Sequence, residues 1–255
     1  MDYLQFPPNE LGIILGKTLP GFKKKKIKYI LIYVLLILYL SIPSFQIPYF
    51  EHNRFRVTSL MEQRAISDLM IYYPEQCWVD IDDVNPNLLK AIISMEDGSF
   101  FNHHGIDWKE LKTSMRINER RGKSARGAST ITMQLAKNLF LTTEKNIFRK
   151  AKELLIAFRF EKEVSKKGIL QAYINAVEWG DGIFGIEKAA EEYFSKEPEE
   201  LNVNECSRLA AVIPSPLKHK PNVNSSYVLR RSSIIRGRMG DIILFPEAEN
   251  EKKRP

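Results

Sequence analysis

Two hydrophobic patterns divide the chain. From Tyr29 to Leu40 it reads YILIYVLLILYL, twelve residues without a charge, and the apolar character continues with interruptions to Ile47. Twelve residues are short for a span. A helix from Ile27 to Ile42 rises roughly 24 Å, and Tyr49 and Phe50 add interfacial aromatics, so one uncleaved anchor helix over 29–48 is expected. A cleaved signal peptide is the rival, but small residues are missing where cleavage needs them: the first Ala is Ala65.

From residue 85 onward the apolar residues recur at helical spacing. The pattern predicts helices at 87–95 and 106–121, a loop at 122–127 (GKSARG), and a helix capped by Ser129 or Thr130 that runs through Leu139. A long helix is expected from Thr142-Thr-Glu-Lys145 to about Glu163, with further helices at 166–177, 184–194 and 204–213. Pro214 and Pro216 end the last of these. Strand-like stretches are few: Cys77 to Ile81 and Ile242 to Phe245. On the long helix Ile147, Phe148, Ala151, Leu154, Leu155 and Phe158 form one apolar stripe. Arg149 and Glu153 fall away from it on a common face, which on the helix alone reads as a solvated salt bridge. The fold class is mainly α.

Composition narrows the class. The 255 residues are 44% hydrophobic and 27% charged with 13 Gly and 13 Pro, which excludes a disordered, collagen-like or low-complexity chain. Two cysteines exclude a disulfide-built scaffold and a Cys-rich zinc module. Cys206 reads as a small buried thiol on an apolar helix face, and its pairing with Cys77 stays open.

The net charge of +7 does not imply nucleic acid. Six lysines between Lys17 and Lys28 stand beside the apolar run, where the positive-inside rule keeps residues 1–28 in the cytoplasm. That sends residues 49–246 to the extracytoplasmic side, leaving 247–255 as a charged tail. A transferase there needs a donor already on the outer leaflet.

Polar chemistry gathers in three places. Glu96-Asp97-Gly-Ser-Phe100-Phe-Asn-His103-His-Gly105 follows an apolar helix; alone it reads more readily as a capped helix end with a surface His pair than as a site. Gly127-Ala-Ser129-Thr130-Ile-Thr-Met133-Gln134-Leu-Ala-Lys137-Asn138 is rich in donors at a loop-to-helix junction. Arg149, Lys150 and Glu153 complete a set with two carboxylates and several cations.

These motifs, in this order, resemble the membrane peptidoglycan glycosyltransferases of family 51, in particular the monofunctional biosynthetic transglycosylases. Ile169-Leu-Gln171-x-Tyr173-Ile-Asn175, continuing through Glu178-Trp-Gly180-x-Gly182-x-x-Gly185, resembles a fourth motif, and Arg208-Leu-Ala-Ala-Val-Ile-Pro214-Ser-Pro216 a fifth. The likeness covers about residues 78–240 and carries no transpeptidase domain.

It implies a lysozyme-like two-lobed glycosyltransferase domain preceded by one transmembrane helix in the cytoplasmic membrane. It further implies polymerisation of lipid II into β-1,4 glycan with inversion and release of undecaprenyl pyrophosphate. Glu96 would be the base, and Glu153, the second catalytic carboxylate, would help hold the pyrophosphate and any bridging cation. Arg149, Lys150 and Lys137 would hold the pyrophosphate, and Ser129, Thr130, Gln134 and Asn138 would line the donor. Asp97, Phe100 and His103 would support the first motif.

No resident cofactor or protein-held metal is expected; a divalent cation (Mg or Mn) would ride on the pyrophosphate. The partners are lipid II, the growing glycan, membrane lipid and other cell-wall synthesis proteins, with no nucleic acid. Lys112 to Arg126, with six cations against Glu119, reads either as a solvated loop or as a contact for anionic lipid head groups or the glycan chain's pyrophosphate. Met133 and Gln171 depart from the family's usual Gln and Glu. A lytic glycan-cleaving enzyme and an inactive membrane scaffold are the competing readings.

Overall fold

A computed structural model describes residues 24–43, 45–51, 54, 57–67, 77–122, 127–144 and 146–246. The chain divides into two units, Met1–Ile42 and Pro43–Pro255. In the first, helix α1 spans Lys24–Leu40. It begins earlier and ends earlier than the expected 29–48 span. Leu40 is followed by a bend, and Ile47 is fully buried in a one-turn 3-10 helix, Ile47–Glu51, of the second unit. At 17 residues α1 rises about 25 Å, short of a bilayer core. Among the described residues no helix is long and apolar enough to cross a membrane. Most of the basic tail, the 123–126 stretch and the 247–255 tail lie outside the described residues.

The second unit is built from nine helices among the described residues: α2 (Ser59–Ser67), α3 (Pro86–Glu96), α4 (Trp108–Arg121), α5 (Ile131–Phe140), α6 (Ile147–Glu163), α7 (Lys166–Ala176), α8 (Ile186–Phe194), α9 (Val203–Val212) and α10 (Ser226–Arg238). Side-chain oxygens cap most starts: Asn85 for α3, Asp107 for α4, Thr130 for α5, Asn146 for α6, Ser165 for α7, Asn202 for α9 and Ser225 for α10. Helix α5 packs against α2, α6 and α7, while α3, α9 and α10 form a second packed group. Glu51 grips the start of α7, accepting from Ser165 N and Oγ, each at 2.7 Å.

Several expectations change. The 184–194 helix starts at Ile186, because Glu178–Gly180 (β1) and Ile183–Phe184 (β2) form an antiparallel hairpin first. A Cβ at Gly180 would lie 2.0 Å from the Tyr193 hydroxyl, so any larger residue there would force the Tyr193 ring aside. Neither expected strand forms. Residues 77–80 are extended but pair with side chains: Asn175 brackets Val79 N and O at 3.0 and 2.9 Å, and Gln171 Oε1 accepts from Ile81 N at 3.1 Å. Residues 242–245 follow a 3-10 turn, and Phe245 takes φ 50° while packing edge-on to Phe101.

The long helix begins at Ile147, not Thr142, because Asn146 supplies the cap. Its apolar stripe does not mark the core. Ile147 and Phe148 are 80% and 65% exposed, whereas Glu153, Ile156, Ala157 and Phe160 are buried. The buried face is set by what α5 and the 3-10 helix bring to it, with Phe50, Phe140 and Phe160 as a ring cluster. Glu153 therefore sits inside, and its pair with Arg149 is not solvated. Cys206 is buried and Cys77 exposed, both free; burial pushes the Cys206 thiol up to about 12.

Candidate active site

The last turn of α3 delivers Glu96 and Asp97 to the start of α5, and the two neighbours face different tasks. Asp97 accepts from Ile131 N at 3.0 Å, at the positive end of α5. Its carboxylate also meets His103 Nε2 at 2.9 and 3.0 Å. Thr130 reinforces the junction: its hydroxyl donates to Gly105 O at 2.6 Å and accepts from Met133 N at 3.2 Å. Gly105 needs its φ of +85°, and a Cβ there would press on Glu161 and the Ala157 backbone. The hydroxyl of Thr130 and the carboxylate of Asp97 thus hold the first and second motifs together. Phe100 is fully buried beneath Lys166, whose Nζ lies 4.4 Å from the ring centroid, and contacts His103 edge-on.

Glu96 is left with a neutral partner. Gln134 Nε2 donates to Glu96 Oε2 at 2.7 Å, and the other end of that amide accepts from the Tyr173 hydroxyl at 2.9 Å. Because Tyr173 is the donor, the amide oxygen must face it and the NH2 must face Glu96. Burial raises the Glu96 pKa above its ordinary 4.5, more than the Gln134 bond and the charges of Arg231 and Lys137 lower it; Asp97 adds a smaller upward push. Burial likewise drives the Tyr173 hydroxyl well above its usual value, keeping it a donor.

Glu153 has the opposite company. Arg149 Nη1 meets one carboxylate oxygen at 2.6 Å and Lys150 Nζ the other at 2.5 Å. Lys150 also donates to Ser129 Oγ at 3.1 Å. Nearby, burial lowers the Lys137 pKa; Glu153 opposes that shift, while Arg149 and Lys150 add to it. Asn138 is buried, and its Oδ1 has no hydrogen-bond partner among the described residues.

Two cavities adjoin this arrangement. One of about 770 Å³ runs past Glu96, Ser129, Gln134, Arg231 and Arg238. The other, about 340 Å³, includes Lys137, Asn138, Glu178 and Arg64. Both are walled by Gln134 and Pro214, so the same amide that holds Glu96 also faces the lysine side. Ser129 joins the larger cavity to the Glu153 cluster through Lys150, and Lys137 acts on both carboxylates.

Every sequence-selected side chain thus lies in one connected region, with Asp97 in the wall of the larger cavity and Phe100 and His103 bracing it from behind. Four contributors were missed. Tyr173 lies within the fourth motif but was given no task. Arg64, whose Nε and Nη2 grip buried Glu178 at 2.8 Å each, comes from the unexpected helix α2. Arg231 and Arg238 come from α10, whose weak apolar pattern gave no helix signal. Among the described residues no group of three or more His, Cys, Asp or Glu side chains is placed to hold a metal.

Comparison with known proteins agrees with this layout. A family model described as Transglycosylase matches residues 62–240. A biosynthetic peptidoglycan transglycosylase of Herminiimonas arsenicoxydans is 38% identical over 83% of this chain and 93% of its own length. One from Janthinobacterium sp. (strain Marseille) is 36% identical over 84% of this chain and 95% of its own length. A third, from Aromatoleum aromaticum, reaches 42% over 64% and 72% respectively. Held together by the match over most of its length and by the motifs that converge around Glu96 and Glu153, the chain belongs to the transglycosylase family of glycosyltransferases.

Proposed function

We propose that this enzyme is a peptidoglycan glycosyltransferase that polymerises lipid II on the outer face of the cytoplasmic membrane. The observation that carries the reading is the division of charge: a half-buried carboxylate whose hydrogen-bond donor among the described residues is a neutral amide, next to a cation cluster gathered on a second carboxylate.

Glycosidic bond formation needs a base for the acceptor hydroxyl and positive charge for the departing diphosphate. Glu96 takes the proton from the 4-hydroxyl of the acceptor's GlcNAc. That oxygen attacks C1 of the donor MurNAc from the opposite face as the C1–O bond to pyrophosphate breaks, giving the β-1,4 link with inversion. The electron pair leaves on the lipid pyrophosphate, which Lys137, Arg149 and Lys150 receive. Burial raises the basicity of Glu96, which suits a carboxylate that must accept a proton near neutral pH. Arg231 and Arg238, across the larger cavity, supply positive charge for the acceptor's own pyrophosphate.

Glu153 is already paired with two cations, so Mg or Mn would bind through the substrate's phosphate oxygens rather than through a carboxylate cage. Membrane attachment is assigned to α1 with its flanking lysines, aided by the exposed Ile147 and Phe148 and by the cationic α4.

Incubation of labelled lipid II with the detergent-solubilised full chain tests the function. Moenomycin-sensitive polymer is the expected product, absent from E96Q. Cleavage of finished glycan in place of polymerisation would overturn the proposal.

A further inference from the structure

The larger cavity contains a cation whose support comes from outside it. Arg231 borders the space beside Glu96 and is close enough for its charge to act on that carboxylate. Yet its buried Nε has no hydrogen-bond partner among the described residues. What lies against it is an aromatic face: the guanidinium carbon is 5.2 Å from the ring centroid of Tyr227, one helical turn earlier on α10. The other partner of Tyr227 is His219, with centroids 3.7 Å apart and planes 9° from parallel.

His219 lies between the fifth motif and α10. The connecting loop is stapled by the arginine of that motif: Arg208 donates through Nε to Pro221 O at 2.5 Å and through Nη1 to Asn224 Oδ1 at 2.9 Å. Arg208 is only 7% exposed and does not line either cavity at the reacting centre. It thus acts at a distance, on the loop that carries the stacked imidazole.

We infer that Tyr227, backed by His219 and the Arg208-stapled loop, is a positioning residue that holds Arg231 over the acceptor side of the cleft. A guanidinium lacking a carboxylate partner keeps its full charge for an anion, and a ring face fixes its plane without neutralising it. An ion pair would have fixed it equally well but would have cancelled the charge. The chain runs Arg208, loop, His219, Tyr227, Arg231, which gives the arginine of the fifth motif a task in substrate binding although it borders neither cavity. This rests on the reading of the larger cavity as the acceptor side.

The test is lipid II polymerisation by the full chain in detergent, comparing wild type, Y227L, Y227F, R231A and Y227L/R231A. Loss of an exposed cation–π contact should raise the KM of Y227L about fivefold, with kcat and the unfolding midpoint little changed. Y227F, which keeps the ring, should behave as wild type, and the double variant should match R231A. A Y227L effect that persists undiminished in the R231A background would overturn the inference, as would a Y227F as impaired as Y227L or an R231A with unaltered KM. Should Y227L fold poorly, H219A in both Arg231 backgrounds decides the matter in the same way, with about a twofold effect. Absence of polymer from the wild type would instead defeat the glycosyltransferase reading itself.

Discussion

Glu96, half-buried in the wall of the larger cavity, and Glu153, fully buried, border one connected region, and the protein treats them in opposite ways. Glu96 receives one neutral N–H donor and is otherwise desolvated, so its proton affinity rises. Glu153 receives a guanidinium and an ammonium within 2.6 Å. One side chain is left with a raised proton affinity; the other gathers two cations. Side-chain identity does not assign these roles, and the partners do.

The largest effect expected is from Glu96→Gln, which should lower polymerisation at least about a hundredfold, the scale of a lost general base. Stability should respond in the opposite sense. The folded pKa of Glu96 lies above 4.5, so its stabilising contribution is full below 4.5 and is lost as pH rises through the folded value. E96Q should therefore gain on the wild type in urea melts as pH is raised from 4.5 to 8. A difference that does not change over that range would mean Glu96 is not desolvated.

Glu153→Gln should lower stability instead. It leaves Arg149 and Lys150 crowded without their anion and should cost about 2–3 kcal/mol in denaturant unfolding, held below a sealed pair's value because Lys150 is 39% exposed. If E153Q proved as stable as the wild type, Glu153 would not be organising the cations.

Gln134→Leu sharpens the comparison by removing the neutral donor alone. The bond lowers the Glu96 pKa, so its loss raises it, and the acid limb of the kcat/KM profile should move to higher pH with roughly a tenfold fall in rate at pH 7. The smallest effect belongs to Tyr173→Phe, which frees the Gln134 amide to turn over; about a threefold loss in kcat is expected, with the Glu153 cluster and Tm little affected.

Much of this was readable in the chain. Capping residues and helical spacing placed α3, α5, α7 and α9 within a few residues, because local chemistry settles those boundaries. The contrast between the two carboxylates was not readable. Seen on its own helix Glu153 looks solvated, since the apolar stripe at Ile147, Phe148 and Phe158 points elsewhere; only α5 and the segment before α2 decide which face goes inward. Helix α10 escaped because just Val228, Ser232 and Ile235 are buried along it, too sparse a signal for a period. The hairpin was announced by Asp181-Gly182, but strands of three and two residues leave no alternation to detect. Gln171 is explained by its contact: Ile81 N needs an acceptor, and an amide oxygen serves as a carboxylate would.

The double attachment of Asp97, to the start of α5 and to His103, has a thermodynamic corollary. The residue beside Glu96, the proposed base, is immobilised when the protein folds. On the proposed function, much of the ordering entropy at the cleft is lost on folding, before encounter, and association would restrict chiefly the incoming sugar.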